Sequence, residues 1–278
     1  MKYVLLIILL ICNLPAISQK LALRKRSSDA LSGSEFVKIL SDSTLSLAER
    51  EKIIFNEVKS GNIPSFLRHL TEIRDTISIL GKIHNIRYFV LPDFIAIGSN
   101  EDYFYCPMRP QLAQKIADML KCSLPTRKIS DNIFKQAVVK LIPQPILPSR
   151  AMITVPVFEK HNRMVNVQRE NSLQNFPLGS LVAGNKKDVV ISNKIYTIDM
   201  KSRVVIYGWH KPDGKAIQPL YNGHTSDHVD YSHGIRLIQN KLWVNGKRSN
   251  LKNILQSEDL HPLLSDEGMI GKAYYPVE

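Results

Sequence analysis

Pro143, Pro145 and Pro148 stand within six residues of one another and divide the chain in two. Each proline fixes its φ and lacks a backbone donor, so neither a helix nor a central strand runs through such a stretch. Residues 143–150 therefore read as a stiff, extended connector. Any fold for this chain must join two differently patterned regions across it. Upstream, over 34–142, the pattern is mainly helical. Downstream, over 151–278, strand and turn signals dominate. We expect an α+β fold in which a helical N-terminal half packs on a β-rich C-terminal half.

The upstream region begins with Phe36, Val37, Ile39, Leu40, Leu45, Leu47, Ile53, Ile54 and Val58 at mostly helical spacing. This predicts two helices broken near Asp42-Ser43, stopped at Gly61. A short helix is expected over 65–73. Ile83, Ile86, Tyr88, Phe89, Val90, Phe94 and Ile95 are β-branched or aromatic and predict two or three strands between 77 and 97. Helices follow over Pro110–Leu120 and after Pro125. Beyond the connector, strands are expected at Met152–Phe158, Asp188–Ser192, Arg203–Trp209, Tyr231–Ile238 and Lys241–Val244, with a turn at Asn245-Gly246. Leu251–Leu255 and Leu260–Leu264 read as short helices.

Residues 1–18 read as a secretory signal peptide. Lys2 precedes the apolar run Val4–Cys12, and Ala16-Ile17-Ser18 offers small residues before a cleavage point. The run is too short for a comfortable membrane span, so no stable membrane insertion is expected after cleavage. Residues 19–33 form a polar, basic lead-in. The formal charge of +12 draws an exported protein to anionic partners, such as a cell-wall polymer or another anionic glycan or peptide. No arginine-aromatic pattern points to nucleic acid.

Chemistry is expected in a block near the C-terminus. His210, His224, His228 and His233 lie within 24 residues, half of the chain's eight histidines. Imidazole is both the commonest metal ligand and the side chain most able to exchange a proton near neutral pH. One arrangement is a cysteine nucleophile. Cys122 precedes a helix that Pro125 can open, where the helix dipole would favour a thiolate. His233 would be its base, with Asp230 or His210 orienting or polarising. Cys106 and Cys122 could instead form a disulfide, and the helix between them disfavours that bridge. The alternative is a zinc hydrolase using His210, His224, His228 and Asp230. His228 and Asp230 are two apart, on one face of a strand, whereas a single metal using both His228 and His233 needs a bend. A third reading is a wall- or glycan-binding protein without catalysis. Trp209, Tyr207, Tyr221 and Tyr231 would then contact a sugar, Arg236 would hold a carboxylate, and Lys186 and Lys187 would cradle an anion. In the cysteine reading no cofactor is needed; in the metal reading the cofactor is zinc.

Ser232-His233-Gly234-Ile235-Arg236-Leu237 resembles the Ser-His-Gly-Cys-x-Arg signature of L,D-transpeptidases, but no cysteine follows Gly234. Cys122-Ser123 before a helix, with His233 opening a strand, is similar to papain-like cell-wall peptidases of the NlpC type, with Leu124 where that family has Gly. Both resemblances imply action on cell-wall or peptide-like material, and the second implies a papain-like fold. Gly61 to Arg68, Lys186 to Val190, Tyr207 to His210 and Asp230 to Leu237 together resemble a group of secreted bacterial proteins. That resemblance implies export and no particular activity. It leads us to expect His where this chain has Asn185.

Overall fold

The structure is a computed structural model that describes residues 19–196 and 202–277. The leader expected at 1–18 lies outside the described residues. About 30% of the chain is helix and 27% strand, a mixed α+β fold.

The first two helices, α1 (Gly33–Leu40) and α2 (Leu47–Ser60), fall where the periodicity puts them. Ser32 and Ser46 each form a capping box, with Glu35 and Glu49 respectively. Each box satisfies backbone donors that a helix start leaves open. Gly61 ends α2 with φ +90°, and a Cβ there would sit 2.2 Å from the Arg24 carbonyl oxygen. Only glycine fits both demands. The remaining helices are α3 (Pro110–Met119), α4 (Arg127–Gln136), α5 (Val155–Ser172) and α6 (Leu251–Leu255).

Helix α5 corrects the strand expected at Met152–Phe158. Its β-branched and aromatic residues imitate a strand over a short window. Pro156, however, lies in the first helical turn, where its missing donor is harmless. Val155, Phe158, His161, Asn162, Val165 and Arg169 then form one buried face at helical spacing. The helix expected over 65–73 is a single 3₁₀ turn, Ser65–Arg68, and the chain is a strand from His69 onward.

In chain order the strands are β1 (Gln19–Lys20), β2 (His69–Ile79), β3 (Lys82–Val90), β4 (Ala96–Gly98), β5 (Tyr103–Tyr105), β6 (Cys122–Ser123) and β7 (Val139–Lys140). After the connector come β8 (Val182–Ala183), β9 (Lys187–Val189), β10 (Arg203–His210), β11 (Ala216–Thr225), β12 (His233–Gly234), β13 (Ile238–Gln239), β14 (Lys241–Val244) and β15 (Lys247–Asn250). One sheet runs β1-β2-β3-β13-β6, with β14 also on β3 and β15 on β14. It therefore draws strands from both sides of the proline connector. A second sheet runs β11-β10-β9-β12. Its β10–β11 hairpin includes a ten-residue strand that the pattern reading missed, because Pro219, Asn222 and Gly223 interrupt it.

One core joins the sheets and helices. Phe36, Val58, Leu67, Ile73, Tyr88 and Phe104 are essentially inaccessible. Burying each such side chain contributes about 1.5–3 kcal/mol. Among the described residues no helix is long and apolar enough to cross a membrane.

Candidate functional site

The second sheet and the turn that leads into it bring three of the expected residues together. Lys187 donates its backbone N–H to the Ser232 carbonyl at 2.8 Å, which sets the parallel β9–β12 register with His233 opposite Lys187. Gly234 permits this approach, because a Cβ there would lie 2.6 Å from the Phe94 ring and 2.7 Å from Lys186 Cβ. Just before β12 the chain turns, with the His233 N–H donating to the Asp230 carbonyl at 3.1 Å. This turn is the bend needed for His228 and His233 to meet.

The two oxygens of Asp230 have different partners. Oδ1 accepts from the Ser232 backbone N–H at 2.7 Å and from the Ser232 hydroxyl. Oδ2 faces His233 Nε2 at 3.7 Å, His228 Nε2 at 3.8 Å and Lys187 Nζ at 4.0 Å. One ligand atom from each of His228, Asp230 and His233 lies within 4.8 Å of the others. His233 is fully buried, and neither ring nitrogen has a hydrogen-bond partner among the described residues. Unpaired buried donors and acceptors are rare, because each costs about 1–3 kcal/mol. His228 is partly exposed and stacks on His224, ring centroids 3.9 Å apart.

The protonation states suit a cation. Burial depresses His233 to about 4, against the pull of Asp230, so its imidazole is neutral at physiological pH. Burial works against the Asp230 carboxylate, but His233, His228, Lys187 and Ser232 outweigh it and hold the group well below the usual carboxylate range. Two imidazoles and one carboxylate form a zinc ligand set that leaves a fourth position open. Ligand atoms sharing a tetrahedral zinc with bonds of about 2.1 Å lie about 3.4 Å apart. The two distances to Asp230, 3.7 and 3.8 Å, need a few tenths of an ångström of closure, and the ligand set as a whole, spread over up to 4.8 Å, must draw in further.

The other expected site residues lie elsewhere. His210 does not join the cluster. Lys187 and Asp188 are consecutive on β9 and point to opposite sheet faces. Lys187 faces Asp230, whereas Asp188 lies on the side of His210 and Arg236. There His210 pairs with Asp131 at 2.8 Å and stacks on Phe134. No local pattern points to that partner, which is 79 residues away on α4. His224 touches the site through its stack on His228.

Trp209 and Tyr231 offer no exposed platform. Both are buried, packed against each other and against His161. Tyr231 Oη accepts from the Ile146 N–H at 2.7 Å. Tyr221, by contrast, is an exposed strand residue beside His224. Lys186 is fully buried and donates to the Tyr231 carbonyl at 2.6 Å, out of reach of a ligand. Lys187 alone of the two lysines is at the site, its ammonium 5.2 Å from the Trp209 ring centre. Arg236 is a core staple. Its guanidinium donates to the Leu91 and Val182 carbonyls at 2.9 and 2.8 Å and lies over the Phe94 ring. Asn185, where we expected His, donates to Asp93.

Cys122 corrects the nucleophile reading. It sits on β6 in the seven-stranded sheet, paired with Gln239 of β13, and not at a helix start. The cap of α4 is Thr126. Cys122 is inaccessible, its thiol donates to the Leu120 carbonyl, and burial pushes its pKa up to about 12. Of the histidines around Asp230, His233 belongs to the other sheet and His228 to the segment that leads into it. Cys106 is also buried, and both thiols are free. In the native protein at mildly alkaline pH, both should therefore resist iodoacetamide, and mass spectrometry should find them modified only after unfolding. Rapid native labelling of Cys122 would revive a thiol role.

Comparison with family models, with curated proteins and with solved structures finds no match to this chain.

Proposed function

We propose that His228, Asp230 and His233 hold a zinc ion, and that the protein is a metal-dependent hydrolase of peptide-like material outside the cytoplasm. The observation that carries this reading is the convergence of the three ligand atoms on a buried His233 whose ring nitrogens make no hydrogen bond among the described residues. A bound metal lowers the pKa of water and polarises a carbonyl.

The chain's own groups supply the rest. Ser232 anchors Asp230 through Oδ1 and leaves Oδ2 for the metal. Lys187 brings a cation to 4.0 Å from Oδ2, where it can stabilise an oxyanion developing beside the ligands. His224, partly exposed and stacked on His228, is positioned to pass a proton to a leaving amine. The net charge of +12 favours anionic wall material as the place of action.

Two measurements test this. Protein purified without chelator and dialysed should carry close to one zinc per chain by elemental analysis. The zinc-loaded protein should release new amino groups from purified peptidoglycan, and 1,10-phenanthroline should stop this until zinc is restored. Zinc far below one per chain, even after incubation with excess metal, would overturn the proposal.

A further inference from the structure

An apolar cavity of about 190 Å³ opens on the other side of the segment that carries His228. Leu40, Ile54, Phe104, Met108, Val155 and Phe158 form its buried walls. Asp227 and Val229 line it as well, whereas His228 between them turns to the Asp230 cluster. Cavity and site are therefore one residue apart along the chain, about 3.8 Å between successive Cα atoms. The mouth carries Leu47, Ile153 and Asp227, all exposed.

The size suits part of a ligand. A dry cavity of about 150 Å³ lined by Leu, Ile and Phe takes up benzene. At 190 Å³ this one accommodates a single large aliphatic or aromatic side chain.

Its charges are unequal in their pairing. Arg109 holds Glu51 through three hydrogen bonds of 2.7–2.9 Å and Asp227 through a fourth at 2.9 Å. Both carboxylates at the cavity are thus already held by one guanidinium. Arg50, also lining it, gives Nη2 to the Asp42 carbonyl at 3.2 Å. Its Nε is buried and has no hydrogen-bond partner among the described residues. An apolar chamber with an unmet guanidinium donor selects an apolar group that carries a carboxylate.

We propose that this cavity receives an apolar amino-acid residue with a free carboxylate, as at a peptide C-terminus, with the side chain among the Phe104 and Phe158 rings and the carboxylate on Arg50. The preceding amide of such a peptide would then lie at the His228 edge, a step that rests on the hydrolase reading above. The binding itself does not depend on the metal.

The probe is N-acetyl-L-phenylalanine, with N-acetyl-L-phenylalaninamide as its uncharged counterpart, titrated into the metal-free and the zinc-loaded protein. The acid should bind saturably in both forms. The amide should bind about tenfold or more weakly, the scale of one charge-assisted hydrogen bond. Arg50→Gln should remove that difference and leave zinc content unchanged. In the wild type, methyl resonances of Ile54 and Ile153 should shift on titration while that of Ile254 stays, which locates the ligand without relying on any variant. No saturable binding of the acid up to about 10 mM, or equal binding of acid and amide, would overturn the proposal. Stoichiometric zinc with no such binding would overturn this inference alone. Acid-selective binding without zinc would sink the hydrolase reading alone.

Discussion

His233→Leu should cost the protein its zinc and its activity while leaving the fold at least as stable. Leucine matches the imidazole roughly in volume and removes two buried nitrogens that lack hydrogen bonds. Replacing an unsatisfied polar group by an apolar one of similar shape is neutral or stabilising. The metal side of the balance moves the other way. Loss of a group that merely hydrogen-bonds to a metal ligand lowers metal affinity about 10–100-fold, so losing a ligand should lower it by more than about a hundredfold. Under the proposed reading, hydrolysis should then fall on the order of a thousandfold or further, because the metal would supply both nucleophile and carbonyl polarisation. Melting curves with and without zinc separate the effects. At a free zinc concentration of about 100 times Kd the parent should gain about 2.7 kcal/mol, and the variant should gain nothing. A destabilised variant that still melts higher with zinc would show that His233 is a structural residue.

Arg236→Met should destabilise the protein by about 3–5 kcal/mol, the cost of removing one partner from a buried ionic arrangement. For a chain of this size that is on the order of 10 °C in Tm. The variant leaves the Leu91 and Val182 carbonyls without their donors and Asp188 without its nearest cation. The loss should also depend on pH. Burial already pushes Asp188 up to about 6, with Arg236 and then His210 working against it. Without Arg236 the folded-state pKa rises further. The folded variant then keeps a proton that the unfolded chain releases above its ordinary 3.8. Its stability should therefore fall as pH climbs from that value towards the folded pKa, and stay low above it. The gap to the parent should be smallest near about pH 4 and widest above about pH 7. Denaturant titrations across that range measure it. A pH-independent loss would mean that packing on Phe94, and not charge, carries the effect.

Much of the candidate site was present in the sequence as residue types and not as an arrangement. The histidine block named His228, Asp230 and His233, and strand alternation already put His228 and Asp230 on one face. The same local reasoning placed His210 and Cys122 with them. Burial and register decided otherwise. Consecutive residues of β9 diverge to opposite faces, so Lys187 goes with Asp230 and Asp188 with His210. Cys122 looked like a residue at a helix start because Pro125 follows it. The chain instead uses two residues there to join β13, and a buried strand gives a thiol neither water nor a helix dipole.

The sequence by itself determined the α+β class, the break between α1 and α2, the stop at Gly61, the positions of α3, α4 and α6, and the strand Lys241–Val244. Caps, turn glycines and apolar periodicity act over a few residues, so their physics is complete within a short window. Tertiary structure alone decided that Val155–Ser172 is a helix, that β13 and β14, from beyond the proline connector, join β3, and that Arg236 is a staple. It also decided which ionisable groups stay uncharged. Those outcomes depend on what packs against a residue from far along the chain, and on how much water that packing removes.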